Sequence, residues 1–596
     1  MQSVQAKIHS LRQSMQIEQV DAFIIPSTDP HISEYTPERW KMREWISGFT
    51  GSAGTVVVTK DKAGLWTDSR YFLQAEEQLK DSGIDLYKAG LPETPTLPDW
   101  IASELSAGDC VGIDAEVYAA SEAKSLIEFF SGKGLNVHTG FAPYKSLWKN
   151  RPANPANPAF VLPKSFTGKS CRDKIKEVLA ETKKNQADMT ILASLDAIAW
   201  LFNIRGNDVE YNPVCLSYAL VSEKETVLFI APEALTHEVS GYLQQEGVAV
   251  AGYEIFGEYI CGIPPETKVL IDPSKINYAL YTILSKTCII KEVTVHPVDS
   301  LKSIKNATEI AGIRNAMQKD GVAMVKFLID LEKTLKNNET ITELDVEEKL
   351  RAYRSKQAFY VGESFHTIAA FGAHGAIVHY EATSGSNVPV LRNGILLIDS
   401  GAQYFDGTTD ITRTISTGQV SETVKRNYTH VLKGHIQLAL AVFPAKTVGM
   451  QLDILARQFL WKAGQNFLHG TGHGIGCFLN VHEGPQSIRM NYNPVPLEPG
   501  MITSNEPGLY LAGEYGIRIE STLLTVKAKT TDFGDFYAFE TLTLCPIDTG
   551  LIDAALLSPE EINWLNAYHQ EVYSRLSPLL SMEEDGWLKE QTKPVS

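Results

Sequence analysis

Cysteine is scarce in this sequence and is not arranged for cross-linking. The 596 residues contain seven cysteines, an odd number, and no two of them stand in Cys-x-x-Cys spacing. Scattered single cysteines are typical of proteins in a reducing compartment and not of disulfide-stabilised secreted domains. The composition therefore predicts a cytoplasmic protein without a disulfide framework.

Long apolar runs are also missing. No segment approaches the roughly 18 consecutive apolar residues that a membrane-spanning helix needs. The first residues, MQSVQAKIHSLRQSMQ, contain no uninterrupted apolar stretch of the kind found in secretory signals. We therefore expect neither contact with a membrane nor a secretory signal.

The sequence also lacks a surplus of positive charge. Asp and Glu number 71 against 54 Lys and Arg, which gives a formal net charge of −17. Because nucleic-acid binding depends on neutralising phosphates with Lys and Arg, this balance argues against a nucleic-acid partner.

The sequence does contain material for several folded domains. Apolar residues make up 44% of the chain and charged residues 21%, which is typical of globular proteins, and the length predicts two to four domains. The segment RPANPANPAF, residues 151–160, is rich in Pro and Asn and predicts an extended linker at the first domain boundary.

An α/β pattern occurs twice, once on each side of this linker. In the first copy, apolar residues recur at helical spacing from Val4 to Met15, and the strands AFIIP, GTVVVT and GLWTDSRYF follow. The order of strand, short helix and strand pair returns in ADMTILASLDAIAWLFN and YALVSEKETVLFI. We therefore predict two related α/β domains over residues 1–155 and 156–303.

The remaining residues predict a larger α+β domain over 304–596. It begins with a long amphipathic helix pattern that is interrupted near Gly321. A second helix is expected after the capping-box pair Thr342 and Asp345, and a late helix after the N-cap Ser558. Strands such as GILLIDSGA, DITRTIS and GIRIESTLLTV alternate with helices between them.

Two aspartates flank strands in ILLIDSGAQYFDGTTDITRT. Asp399 ends an apolar strand, and Asp410 begins a β-branched strand after an Asp-Gly turn signal. An antiparallel pair of strands would bring the two carboxylates side by side, which is unfavourable unless a cation or a shared proton compensates. The alternative is a pair of surface aspartates beside a turn.

Two glutamates occur in MITSNEPGLYLAGEYGIRIESTLLTV. Glu506 ends an apolar strand before a Pro-Gly turn, and Glu520 lies within the strand pattern GIRIESTLLTV. Alternation along that strand puts Glu520 on the same face as Arg518, and a half-buried carboxylate needs a partner. A cation site and a purely structural ion pair with Arg518 both remain open.

The segment HGTGHGIGCFLNVHEGP, residues 469–485, contains three histidines among five glycines. Its glycine spacing fits neither a G-x-G-x-x-G nor a Walker pattern, which excludes a nucleotide-binding loop. His469 and His473 have the spacing of an HExxH zinc helix, but the intervening glycines disfavour a helix and the glutamate is absent. A tight turn that projects imidazoles and a loop with surface histidines remain.

The combination of these side chains predicts a dinuclear metal centre. Four carboxylates balance the charge of two divalent cations, and oxygen ligands with one imidazole favour Mn²⁺, with Co²⁺, Fe²⁺ or Zn²⁺ as alternatives. Two such ions, about 3.5–4 Å apart, would activate a water molecule that they share for attack on a carbonyl carbon. The candidate ligands are Asp399, Asp410, His473, Glu506 and Glu520.

These residues, in this order and context, resemble a known family. The motifs LLIDSGA, DITRT, HGTGHGIG, HEGP, SNEPGLY and GIRIE are similar to those of the pita-bread, creatinase/prolidase-like metallopeptidases, and among them the three-domain Xaa-Pro aminopeptidases. WTDSRYF and the duplicated α/β unit extend the resemblance over essentially the whole chain. It implies two creatinase-like N-terminal domains followed by a pita-bread catalytic domain.

The resemblance implies a role for each matching position. Asp399 and Asp410 hold one metal ion, and Asp410, His473, Glu506 and Glu520 complete the pair. Glu506 also carries a proton from the attacking water to the leaving nitrogen.

Five further residues are implied to contact the substrate or to support its site. His482 hydrogen-bonds the peptide carbonyl, and His379 contacts substrate near the scissile bond. His469 lines a proline pocket, Arg518 orients the metal-ligand shell beside the substrate, and Arg70 in WTDSRYF reaches the substrate from the first domain. The ordinary alternative for Arg70 is a strand-end arginine.

The implied reaction is hydrolysis of the bond between an N-terminal residue and a following proline in peptides, by a homodimer. The proline nitrogen is tertiary and offers no N–H, so a shaped pocket and a metal-activated nucleophile suit it. Trp461 is a candidate dimer contact, with a buried core position as the alternative.

Two rival functions remain for this sequence. Prolidases share the five ligands but cleave only dipeptides and usually have one N-terminal domain. Binding proteins on the same fold characteristically lack some of the ligands. The second α/β domain speaks against the first rival, and the complete ligand set speaks against the second.

Overall fold

The computed structural model describes residues 2–596 and divides them into two compact units. The first unit comprises the residues up to Pro163 together with Lys169–Asp299. The second unit comprises Lys164–Gly168 and Ser300–Ser596. No helix among residues 2–596 is long and apolar enough to cross a membrane.

The first half of unit one follows the sequence pattern closely. Ser3 caps the first helix by accepting a hydrogen bond from the amide of Ala6, and the periodic residues Ile8, Leu11 and Met15 are buried. The strands are β1 (Ala22–Ile25), β2 (Thr55–Thr59), β3 (Ala63–Thr67), β4 (Asp85–Lys88), β5 (Cys110–Gly112) and β6 (Asn136–His138). The helices are α1 (Val4–Ile17), α2 (Met42–Ser47), α3 (Phe72–Gln78), α4 (Leu97–Glu104), α5 (Ala120–Gly132) and α6 (Tyr144–Leu147).

The second half of unit one repeats this arrangement after residues 151–159, which form neither helix nor strand. Its strands are β7 (Phe160–Val161), β8 (Met189–Leu192), β9 (Ile204–Arg205), β10 (Ser217–Ser222), β11 (Thr226–Ile230), β12 (Ala249–Gly252), β13 (Lys268–Ile271) and β14 (Ile289–Glu292). Its helices are α8 (Cys171–Lys184), α9 (Leu195–Phe202), α10 (His237–Glu246), α11 (Phe256–Cys261) and α12 (Tyr278–Thr287); α7 (Lys164–Thr167) belongs to unit two, and α13 (Pro297–Ser303) ends within it.

Two six-stranded sheets of unit one share one topology. Their strand orders are β4-β3-β2-β1-β5-β6 and β12-β11-β10-β8-β13-β14. β1 is antiparallel to β2 and parallel to β5, and β8 is likewise antiparallel to β10 and parallel to β13. The predicted fold class, in which an α/β domain is repeated ahead of an α+β domain, is confirmed.

Unit two combines long helices with three larger sheets. The sheets have the orders β15-β18-β19, β16-β17-β20 and β21-β28-β27-β24-β22-β23. The strands are β15 (Tyr360–Glu363), β16 (Ile368–Phe371), β17 (Ile395–Ser400), β18 (Ala402–Tyr404), β19 (Gly407–Thr408), β20 (Ile411–Ser416), β21 (Val442–Pro444), β22 (Gly472–Gly474), β23 (Glu483–Ile488), β24 (Ile502–Asn505), β25 (Gly508–Leu511), β26 (Tyr515–Arg518), β27 (Ser521–Thr531) and β28 (Gly534–Thr541). The helices are α14 (Ala307–Lys336), α15 (Glu343–Arg354), α16 (Glu422–Ala439), α17 (Gly449–Lys462), α18 (Pro559–Leu576) and α19 (Met582–Gln591).

The predicted interruption near Gly321 is wrong, because α14 runs unbroken over 30 residues. A Cβ at position 321 would lie 2.3 Å from the carbonyl oxygen of Leu544, so the glycine lets another segment approach the helix backbone. Tertiary packing thus outweighs the low helix propensity of glycine. The capping box of Thr342 and Asp345 and the N-cap Ser558 are confirmed.

The prediction of one continuous strand through GIRIESTLLTV is also wrong. β26 ends at Arg518, β27 begins at Ser521, and each pairs with a different neighbour. Ile517, Arg518, Ile519 and Glu520 are all at most 2% exposed, so no alternation between a buried and a solvent face exists here. Glu520 therefore lies between β26 and β27, which belong to two different sheets.

Candidate metal centre

The two predicted aspartates are brought together by an antiparallel strand pair. Asp399 lies in β17 opposite Thr412 of β20, and Asp410 directly precedes β20. Both side chains are buried, with residue exposures of 8% and 4%. The surface-aspartate alternative is therefore wrong.

The two predicted glutamates are brought together by a second strand pair. β24 and β27 pair through Asn505 and Ser521, so that Glu506 follows one strand and Glu520 precedes the other. The Glu520 amide donates to the carbonyl oxygen of Thr412, which connects this pair to β20. Both glutamates consequently lie beside the aspartates.

His473 points one ring nitrogen at these carboxylates. It lies in β22, and its Nδ1 is 2.9 Å from the carbonyl oxygen of Gly474, which only accepts hydrogen bonds. Nδ1 therefore carries a proton, which leaves Nε2 as the ring nitrogen that could bind a metal ion. Nε2 lies 3.4 Å from Asp410 Oδ2 and 3.6 Å from Glu506 Oε1.

The carboxylates repel one another in a buried site. Burial, and then the charges of Asp399 and Glu506, raise the pKa of Asp410 well above its usual value. Burial, and then Asp410, act in the same direction on the pKa of Glu520. Burial and Glu520 raise the pKa of Glu506 to about 7. Such crowding is relieved by a bound cation.

The donor atoms fit divalent metal ions. One ligand atom each from Asp410, His473 and Glu520 lie within 4.8 Å of one another. Among the hydrogen bonds of residues 2–596, none reaches the buried Oδ1 of Asp399. An oxygen-rich set with one imidazole suits Mn²⁺, Co²⁺, Fe²⁺ and Zn²⁺.

Arg518 holds the other oxygen of Asp399. Its guanidinium donates to Asp399 Oδ2 from Nε at 3.0 Å and from Nη2 at 2.5 Å. Nη1 donates to the hydroxyl of Tyr510 at 2.8 Å. Arg518 is only 1% exposed, so it acts on the carboxylate and is shielded from solvent.

Two residues that the sequence reasoning missed complete this arrangement. The Thr412 hydroxyl donates to Glu520 Oε2 at 2.8 Å. The Tyr510 hydroxyl lies 2.8 Å from His469 Nε2 and so connects His469 to Arg518. Thr412 lies in the motif DITRT and Tyr510 in the motif SNEPGLY. No rule of sequence spacing identifies the residues that they contact.

Arg413 is a third missed residue. It is fully buried and donates to the backbone oxygens of Glu520, Cys545 and Pro546 and to the hydroxyl of Tyr568. The backbone of a candidate ligand is thereby tied to the C-terminal part of the chain.

The remaining predicted histidines lie in turns of unit two. The ring of His482 packs edge-on against the ring of His473, with centroids 4.3 Å apart. His379 is half-buried in a turn after the 3₁₀ helix Gly372–Ala376. Arg70 belongs to unit one, where its guanidinium pairs with both oxygens of Asp68. The predicted substrate contact of Arg70 stays a prediction.

Family comparisons agree with this architecture. Residues 7–140 and 150–309 each match the family described as Creatinase/Prolidase N-terminal domain. Residues 311–527 match Metallopeptidase family M24, and residues 535–595 match the C-terminal region of peptidase M24. The chain belongs to metallopeptidase family M24.

Full-length relatives narrow the class further. The chain is 41% identical to a probable Xaa-Pro aminopeptidase P of Coprinopsis cinerea, covering 99% of this chain and 98% of the relative. It is 39% identical to Xaa-Pro aminopeptidase 1 of Dictyostelium discoideum, covering 100% and 97%. The structure of X-prolyl aminopeptidase from Caenorhabditis elegans, described as a cytosolic enzyme with a di-nuclear active site, matches with a TM-score of 0.96, 35% identity and full coverage of both chains. The predicted resemblance to the Xaa-Pro aminopeptidases is confirmed.

Proposed function

We propose that this protein is a dinuclear metal-dependent aminopeptidase that hydrolyses the bond between an N-terminal residue and a following proline in peptides. One observation carries the proposal. Four carboxylates and one imidazole, carried within or next to five different strands, lie together in a centre where repulsion among the carboxylates favours bound cations. The full-length similarity to Xaa-Pro aminopeptidases supports the substrate class.

Two divalent metal ions are proposed for this centre, with Mn²⁺ as the favoured metal. Asp399 and Asp410 would hold one ion, and Asp410, His473, Glu506 and Glu520 the other. Such ions, when bound, lower the pKa of water and polarise a carbonyl group, which makes water a nucleophile at neutral pH.

The protein's own groups then move the protons. Glu506 lies at the rim of the centre, with one oxygen 3.6 Å from His473 Nε2 and the other 3.9 Å from His469 Nδ1. In the proposed step, water oxygen bonds to the peptide carbon and the bond to the proline nitrogen breaks. Glu506 takes the water's proton and delivers it to that nitrogen, which leaves as a secondary amine.

Three histidines are proposed to hold the substrate. His482, beside the ligand His473, donates a hydrogen bond to the peptide carbonyl oxygen as negative charge develops there. His379 contacts the peptide near the scissile bond. His469, whose ring is fixed by Tyr510, forms a wall of the proline pocket.

Arg518 and Arg70 have different proposed roles. Because Arg518 is buried against Asp399, its proposed role is to orient that ligand beside the bound peptide. Arg70 is the proposed substrate contact supplied by the first domain.

The proposal is tested by elemental analysis together with cleavage of Xaa-Pro-Xaa peptides. We expect two metal ions per chain, Mn²⁺-stimulated release of the N-terminal residue, and cleavage of peptides longer than two residues. Cleavage of Xaa-Pro dipeptides alone would establish a prolidase. Absence of both metal and peptidase activity would establish a binding protein on the same fold.

We also infer a cytoplasmic homodimer. The Caenorhabditis elegans relative is a cytosolic enzyme, and helix α17 presents Met450, Ile454 and Trp461 to solvent with exposures of 41%, 41% and 46%. The core-position alternative for Trp461 is therefore wrong. Light scattering on purified protein measures the oligomeric state, and a monomer at micromolar concentration would contradict the inference.

A further inference from the structure

A fully buried carboxylate, that of Glu343, accepts hydrogen bonds from the segment that contains His379. Glu343 is the first residue of α15 and is 0% exposed. Its two oxygens accept hydrogen bonds from four groups of the segment 371–388, which we call the His379 segment. These groups are the amide of Phe371 at 2.8 Å, Nδ1 of His374 at 2.8 Å and 3.0 Å, the hydroxyl of Tyr380 at 2.9 Å and the amide of Val388 at 3.2 Å.

The donors stand on both sides of His379. Phe371 and His374 precede it, and Tyr380 and Val388 follow it, so the carboxylate closes the segment into a loop. The rings of His374 and Tyr380 stack with centroids 4.4 Å apart. The loop is held at both ends and at Tyr380, next to His379. His379 therefore has little freedom to move.

The His379 segment also contacts the strand that carries Arg518. A Cβ at Gly516 would lie 1.7 Å from the carbonyl oxygen of Gly375, so the two backbones are in direct contact. Gly516 lies in β26, which ends at Arg518. The His379 segment therefore contacts both the buried carboxylate of Glu343 and the strand whose Arg518 holds Asp399.

We propose that Glu343 is a positioning residue for peptide hydrolysis, which fixes His379 relative to the metal centre through its hydrogen bonds to the His379 segment. This inference rests on the proposed function and on the proposed role of His379. Glu343 touches neither substrate nor metal in this scheme. A core role in stability alone is the competing explanation.

A double-mutant cycle separates the two explanations. Glu343→Gln keeps the side chain's shape but turns an amide N–H₂ toward donors that need an acceptor. We expect kcat/KM for an Xaa-Pro-Xaa peptide with Mn²⁺ to fall by about 10- to 100-fold, because small misplacements near a reacting bond have effects of this size. In a His379→Ala background the same change should lower kcat/KM by less than about threefold, because the two residues act as one unit.

Several outcomes would overturn the proposal. An equal fold loss in both backgrounds places the effect of Glu343 elsewhere, and an unchanged kcat/KM shows that the carboxylate is dispensable. Loss of metal measured by elemental analysis would mean that Glu343 supports the ligands instead. A wild-type protein without activity would contradict the proposed function, and is thereby distinguished from failure of this inference.

Two further variants control for folding. Glu561→Gln removes a buried capping carboxylate of α18 that is 1% exposed and remote from the His379 segment in the chain, and it should leave kcat/KM within about twofold. If Glu343→Gln lowers Tm severely, Tyr380→Phe carries the test, because it removes one hydroxyl donor and leaves the carboxylate in place. A loss of kcat/KM in Tyr380→Phe that persists undiminished without His379 would refute the proposal.

Discussion

Asp399 divides its two oxygens between two partners. Oδ2 is fixed by the Arg518 guanidinium, while the buried Oδ1 has no hydrogen bond from any residue in the range 2–596. A buried carboxylate oxygen without a hydrogen-bond partner lowers the stability of the folded state. A bound cation would compensate for this cost. The arginine thus leaves one oxygen available for the proposed metal ion.

Replacing Asp399 with alanine should abolish metal-dependent turnover. The change removes one proposed ligand and leaves the buried Arg518 without its carboxylate, which is strongly destabilising for the centre. Elemental analysis should show less than two ions per chain, while circular dichroism should show that the first unit remains folded. Asp553→Ala, at a half-buried cap of unit two, is the matched control, and retained activity in Asp399→Ala would refute the ligand assignment.

Replacing His482 with alanine should lower kcat without removing metal. Loss of one donor to a developing oxyanion typically lowers kcat by about 10²- to 10³-fold. Steady-state kinetics and elemental analysis on the same preparation check this expectation. Loss of metal instead would show that the proposed roles of His473 and His482 must be exchanged.

The proposed ligand residues could be selected from the sequence, but their supporting contacts could not. Asp399, Asp410 and Glu506 stand at strand ends in recognisable motifs, and motif order indicates a centre. Thr412 meets Glu520 across 108 positions of the chain, a contact that depends on how β20 and β27 approach in space. Local sequence contains no information on such an approach.

Helix α14 shows how tertiary contact overrides local preference. Its glycine predicts a break because glycine is about 1 kcal/mol less favourable than alanine within a helix. In the folded chain the same glycine contacts the backbone at Leu544 and the side chain of Leu576. Sequence periodicity predicts the helix, while its continuity is decided by a partner more than 200 positions away.

Gly321→Ala should therefore destabilise the protein although alanine favours helices. A Cβ would lie 2.3 Å from the Leu544 carbonyl oxygen, and overpacking of this kind costs about 1–3 kcal/mol. Thermal denaturation should show a lower Tm. Gly586→Ala in α19 is the matched control, because a Cβ there meets nothing within 4 Å and Tm should hold or rise. Equal behaviour of the two variants would contradict the packing explanation.

Buried neutral histidines give the whole chain an acid-sensitive stability. Burial lowers the pKa of His296 to about 4, of His435 to about 3 and of His569 to about 4. Above the ordinary value of 6.5 these rings are neutral in both the folded and unfolded states. As pH falls below 6.5 the unfolded state binds protons that the folded state refuses, so stability decreases down to the folded pKa values.

His569→Gln should reduce this acid sensitivity. The ring Nε2 of His569 accepts a hydrogen bond from the Ile547 amide, and a glutamine oxygen also accepts one. Each histidine that charges only on unfolding contributes a slope of up to about 1.4 kcal/mol per pH unit. Tm of wild type should fall more than Tm of the variant between pH 6.5 and 5, and parallel curves would contradict the assignment.

The duplicated architecture was predictable from the sequence, but the contacts that join its two copies were not. The repeat of strand, helix and strand pair predicted two α/β domains, and both sheets have the predicted character. Hydrogen bonds such as Ala120 N to the Ile276 oxygen and Asn277 Nδ2 to the Pro30 oxygen join the copies into one compact unit. Contacts of this kind depend on the tertiary fold, which sequence periodicity does not describe.

The buried guanidinium of Arg413 has a consequence for inherited variants of this gene. A premature stop codon near residue 540 would spare every proposed ligand, yet the truncated product would lack the Cys545 and Pro546 carbonyls and the Tyr568 hydroxyl. Arg413 would keep its charge and lose three of its acceptors beside Glu520. A screen that counts intact catalytic motifs would score such an allele as functional, and we expect it to be a loss-of-function allele.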